Sequence, residues 1–110
     1  MAKTWSTEIK EILKIGKPLF NVGNNNWGLT KEQALEAIDL LSSANIPIYG
    51  GDVYELTGDI IKPNYDNWFC NPMPNELERD FLDRSITIAK NYILSYYKFE
   101  KIFFVLVPKN

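Results

Sequence analysis

The residues of this chain best equipped for chemistry crowd between positions 49 and 70. Gly50-Gly51-Asp52-Val53-Tyr54-Glu55 is the densest stretch. Two glycines ahead of an acid can shape a loop that presents a carboxylate, with Tyr54 and Glu55 beside it. The same pattern also describes a β-bulge whose aspartate hydrogen-bonds nearby backbone, and composition alone favours the bulge. Asp52, Glu55, Asp59 and Asp66 are the carboxylates available for acid–base or metal chemistry. Paired carboxylates hydrolyse glycosides only at set separations in a cleft, and nothing in this spacing makes these four converge. Asp59 to Asp66 does not follow the calcium-loop pattern. Trp27, Tyr49, Tyr54, Tyr65, Trp68 and Phe69 add an aromatic set that could stack on sugars or bases, anchor a protein interface, or pack a core. Three functions follow from these types: a protein-binding surface, a small-ligand module stacking a sugar or base on Trp27, Tyr54 and Trp68, and a hydrolase using Asp52 with a second carboxylate.

Other chemistries are closed off. The chain has no histidine and one cysteine, Cys70. A Ser-His-Asp or Cys-His arrangement, a histidine-containing or multi-cysteine zinc site and an internal disulfide framework are therefore excluded. Cys70 has no adjacent base and reads as a buried small hydrophobe. Phosphate-binding and dinucleotide-binding glycine fingerprints are absent. No metal or cofactor is expected. The longest unbroken apolar run, Ile102 to Val107, is far too short to span a membrane. Residues 1–16 lack the apolar block of a signal peptide, so the expected setting is the cytoplasm.

Charge is unevenly spread. Residues 1–31 hold five lysines and two glutamates, residues 32–80 hold ten acids against Lys62 and Arg79, and residues 81–110 hold five bases against two acids. An acidic middle argues against nucleic acid as the ligand, which needs a clustered basic surface. It suits a basic partner, or simply a solvated face.

The elements that must position these residues are legible in outline. With 110 residues, 45% of them hydrophobic, a single α+β domain over 1–110 can bury a core without disulfides. Trp5, Ile9, Ile12 and Leu13 share a helical stripe, which Gly16 and Pro18 end. Thr30 and Gln33 have capping-box spacing, and Leu35, Ile38, Leu41 and Leu40 follow as a buried stripe to Asn45. Residues 46–56 read as one bent strand or two short ones, with Pro47 at its start, and 60–70 as a second β segment. Asn75 and Glu78 have capping-box spacing for the longest helix, whose apolar face runs through Leu77, Phe81, Leu82, Ile86, Ile88, Ala89, Ile93 and Tyr96. Tyr92, Tyr96 and Tyr97 read as packing residues with wet hydroxyls. Ile102 to Val107 reads as a central strand covered on both faces. The order α-α-β-β-α-β implies a small, mainly antiparallel sheet packed against helices.

Trp27-Gly28-Leu29-Thr30 leading into a helix, Gly50-Gly51-Asp52-Val53-Tyr54, and Tyr65-x-x-Trp68 are similar to immunity protein family 40 of bacterial polymorphic toxin systems. The resemblance spans roughly Trp27 to Cys70. It implies an α+β protein without enzymatic activity that binds a cognate toxin domain in the cytosol and blocks it. Trp27, Gly50, Gly51 and Trp68 are the structural or motif positions, with Trp27 and Trp68 open between core packing and interface anchoring. Asp52, Tyr54, Glu55, Asp59, Tyr65 and Asp66 are expected to form the partner-binding surface, acting by steric occlusion, with a protein as partner and no nucleic acid or membrane.

Overall fold

The computed structural model describes residues 4–110. Helix α1 (Thr7–Leu13) is capped by the Ser6 hydroxyl, which accepts from the Ile9 N–H at 3.2 Å, and it buries Ile9, Ile12 and Leu13. A two-residue ladder follows, β1 (Lys17–Pro18) against β2 (Trp27–Gly28), enclosing a short 3-10 turn at Phe20–Val22. Helix α2 (Lys31–Ser43) has the full capping box: the Thr30 hydroxyl accepts from the Gln33 N–H at 3.2 Å, and the Gln33 side chain accepts from the Thr30 N–H at 3.0 Å. Its stripe is Ala34, Ala37, Ile38 and Leu41, whereas Leu40, expected inside, is 44% exposed. Asn45 ends it in the left-handed conformation, as its type allows.

The main sheet is antiparallel with order β4-β3-β5: β3 (Ile48–Thr57), β4 (Ile60–Phe69) and, after helix α3 (Glu78–Ser95), β5 (Ile102–Pro108). The fold is α+β, with the expected element order and the small β1–β2 ladder added. The segment expected over 46–56 forms one strand, Ile48–Thr57, with Pro47 just before it and a register shift between Ile48 and Gly50. The central strand is β3, not the Ile102–Pro108 segment. That segment is nonetheless covered on both faces. Phe104 and Leu106 join the helix-side core, Val105 packs with Leu19 and Ile61 on the other side, and Leu29 bonds to the Phe104 backbone in both directions at 2.7 and 2.8 Å. Leu29, just after β2, and the Asn26 side chain, which donates to the Leu106 carbonyl at 2.8 Å, thus cover its outer edge. Continuous apolarity reported burial here, not position in the sheet.

The paired glycines are a bulge and a close approach at once. A Cβ on Gly51 would fall within the far edge of the Trp68 indole and 2.6 Å from the Val105 carbonyl oxygen. Gly51 and Trp68 are cross-strand partners, so the ring lies over the space a side chain would fill. Trp68 then stacks on Tyr92 at 4.5 Å, and Tyr92 leads to Tyr96, which meets Phe104 edge-on at 5.5 Å.

The longest helix starts later than its sequence suggests. Its N-cap is Leu77, without a side-chain cap, and Asn75 sits at φ +64° in the preceding turn. The cause is Glu76. Its carboxylate takes two hydrogen bonds from Arg84, at 2.7 and 2.8 Å, and one from the Met73 N–H at 2.9 Å. Arg84 also donates to the Asn71 carbonyl and the Cys70 sulfur. This clamp fixes the turn before α3 and leaves Leu77, expected on the apolar face, 69% exposed. Cys70 is buried, and burial pushes its thiol pKa up.

The Arg84 guanidinium holds the Glu76 carboxyl down at about 2. A depressed carboxyl adds stability that is present above its unfolded value of about 4.5 and is lost as pH falls towards the folded one. Glu76→Gln is therefore expected to unfold at lower urea than wild type at neutral pH and to lose less between about pH 4.5 and 2. Parallel urea midpoints across that window would contradict this role.

Among the described residues, no helix is long and apolar enough to cross a membrane.

Candidate functional site

Cross-strand partners share a face of a sheet, which divides the six expected binding residues. Asp52 pairs with Asn67 and Val105, and Tyr54 with Pro63 and Phe103, all on the face turned away from the helices. Val53 and Glu55 point to the other face. Glu55 is half-buried there, and its carboxylate accepts from Lys98 at 2.7 Å, a bond that lowers its pKa and raises that of Lys98. Glu55 is thus a partner of Lys98 inside the fold and not part of a surface shared with Asp52. Asp59 lies in the hairpin turn after Gly58, beyond the end of β3, which is itself about 17 Å along the strand from Asp52 at the usual rise per residue.

Asp52, Tyr65 and Asp66 do come together. Between the pairs Asp52–Asn67 and Tyr54–Pro63, one residue of β3 faces three of β4, so Asn64-Tyr65-Asp66 bulges outward. Tyr65 is held at φ +71° with its side chain 82% exposed. The bulge is tied down from both sides. The Asn64 side-chain oxygen accepts from the Asp66 N–H at 3.0 Å, and the Asn67 amide donates to the Tyr65 carbonyl at 3.0 Å. The Tyr96 hydroxyl donates to Asp66 at 2.6 Å and accepts from Asn64 at 2.9 Å. Tyr96, expected to have a wet hydroxyl, is instead the post that holds the bulge. Burial and the Asp66 carboxylate both raise its pKa. Asp52, Tyr54, Pro63, Tyr65, Asp66 and Asn67 line an open hollow of about 270 Å³. Tyr54 forms part of its wall, its hydroxyl accepting from Asn24 at 2.9 Å. Burial raises the Asp52 pKa. Among the described residues neither Asp52 nor Asp66 has a salt-bridge partner, and no cluster of three or more acids or cysteines could hold a metal ion.

The motif tryptophans are core residues. Trp27 and Trp68 are each 8% exposed, Trp27 against Phe20 and Trp68 over Gly51. Trp27 and Trp68 belong to the helix-side core and Tyr54 to the opposite face, so the three rings of the small-ligand reading do not share a pocket. One feature of this face was not singled out by sequence as a site. Phe69, opposite Gly50, is 75% exposed, and its only sequence signal was membership of the aromatic set.

A small α+β fold that displays an exposed aromatic ring beside Asp52, which has no salt-bridge partner among the described residues, has the makings of a protein that binds another protein. The family model described as Immunity protein 40 matches residues 18–108, and the chain belongs to that family. No curated protein and no solved structure matches it.

Proposed function

We propose that the protein is the immunity partner in a bacterial polymorphic toxin system. It binds a cognate toxin domain in the cytoplasm and neutralises it by covering its working surface, without catalysis of its own. The observation that carries this reading, beside membership of the family, is the convergence of Asp52, Tyr65 and Asp66 around one open hollow. An exposed aromatic ring on a backbone held by hydrogen bonds, beside carboxylates without salt-bridge partners among the described residues, is the kind of group that anchors a protein interface. Its charge suits a basic toxin surface and would speed capture before the toxin acts.

Calorimetric titration against the C-terminal domain of the secreted toxin encoded beside this gene tests the proposal, together with growth of cells expressing both. The expected result is one-to-one binding at about nanomolar affinity or tighter, with growth restored. A folded, toxic domain that gives no heat of binding overturns it.

A further inference from the structure

The open face of the sheet says more about what on the partner is recognised. A second hollow, of about 210 Å³, lies beside the first and is lined by Gly50, Gly51, Asp52, Asn67, Phe69 and Val107 among others. The two share Asp52 and Asn67, so they form one trough, with Phe69 at one end and Tyr65 at the other. Both rings are largely exposed, at 75% and 82%. The trough is open along its length rather than an enclosed cleft, so it suits side chains of a docked surface better than a free small ligand.

The charge at its centre selects among side chains. Asp52 has no salt-bridge partner among the described residues. Asp52 is exposed, so its carboxylate is open to an incoming cation, and partial burial nudges its pKa upward. A flat guanidinium can pair with a carboxylate while it stacks on a ring, which an ammonium does less well.

We propose that this trough docks a basic protein surface, and that an arginine of the partner lies in it with its guanidinium paired with Asp52 and stacked on Phe69. This rests on the reading of the protein as a toxin-binding immunity protein, and deepens it by naming the group recognised.

The test compares Asp52→Asn, Asp52→Lys and Phe69→Ala with Glu36→Lys, an exposed position on α2 that changes net charge as much as Asp52→Lys. Each variant is first checked for unchanged circular dichroism and melting, then titrated with the same toxin domain. Asp52→Asn and Phe69→Ala are expected to weaken binding about tenfold, and Asp52→Lys about a hundredfold or more. Glu36→Lys should stay within about twofold, because an exposed charge outside the contact acts only through screened long-range attraction. Each arginine of the toxin domain is then changed to alanine in a double-mutant cycle with Asp52→Asn. One of them is expected to couple by about tenfold. If the wild-type protein does not bind, the functional reading and this inference both fall. If it binds and the Asp52 and Phe69 variants bind equally well, or if no arginine couples, the inference is overturned while the functional reading stands.

Discussion

Gly51→Ala is expected to cost the fold about 3 kcal/mol or more, a large loss for one methyl group on a surface-lying sheet. The new carbon would sit within the edge of the Trp68 indole and 2.6 Å from the Val105 carbonyl oxygen. Neither neighbour has room to retreat. Val105 is held in the β3–β5 ladder, and the indole is pinned between the sheet and Tyr92 at 4.5 Å. Trp68→Ala should cost about 3–5 kcal/mol by the opposite route, since it empties a site that only the indole fills. Domains of this size are stable by roughly 5–15 kcal/mol, so either change takes a large share. The two losses should not add. In the double variant the alanine at 51 enters space that the indole has left, so its cost falls below that of the two single changes together. Urea unfolding of the four proteins measures this. A Gly51→Ala variant within about 1 kcal/mol of wild type, or strictly additive losses, would show that Gly51 is not there to seat Trp68.

That pair also shows how far local pattern reaches. Two glycines in a strand announced a bulge, which is present, yet nothing near them in sequence named the indole that lies over Gly51. The capping box at Thr30 and Gln33 was legible because both partners lie within one turn. The equally regular Asn75–Glu78 spacing misled, because Arg84 draws Glu76 into a clamp and the chain turns at Asn75 instead. The site divides in the same way. Strand alternation already set Glu55 on the face opposite Asp52, and Lys98, 43 residues later, confirms that by pairing with it. Tyr65 and Asp66 reach the Asp52 side only through a bulge, and Tyr96, 30 residues beyond Asp66, holds that bulge in place. Composition supplied the right residue types. Tertiary hydrogen bonds decided which of them meet.

The bulge leads to a prediction whose two readouts run in opposite directions. Tyr65→Gly is expected to leave stability unchanged or raise it by up to about 1 kcal/mol, while weakening toxin binding by about thirtyfold or more. Tyr65 holds φ +71°, a region that costs an L-residue other than glycine roughly 1–2 kcal/mol. Glycine relieves that strain and gives back about 0.5–1 kcal/mol through the greater freedom of its unfolded chain. The ring contributes little to the fold in return, being 82% exposed. The strain therefore persists without a stabilising contact of its own, held by the Asn64, Asn67 and Tyr96 hydrogen bonds. Strain kept at an exposed aromatic is what a binding role would preserve and a purely structural role would not. Tyr65→Ala separates the two effects, since it removes the ring and keeps the strained φ. It should bind as weakly as Tyr65→Gly yet unfold at lower urea. If Tyr65→Gly proves less stable than Tyr65→Ala, the backbone is not strained at this position. If both variants bind the toxin domain as wild type does, the ring is displayed for something other than that partner.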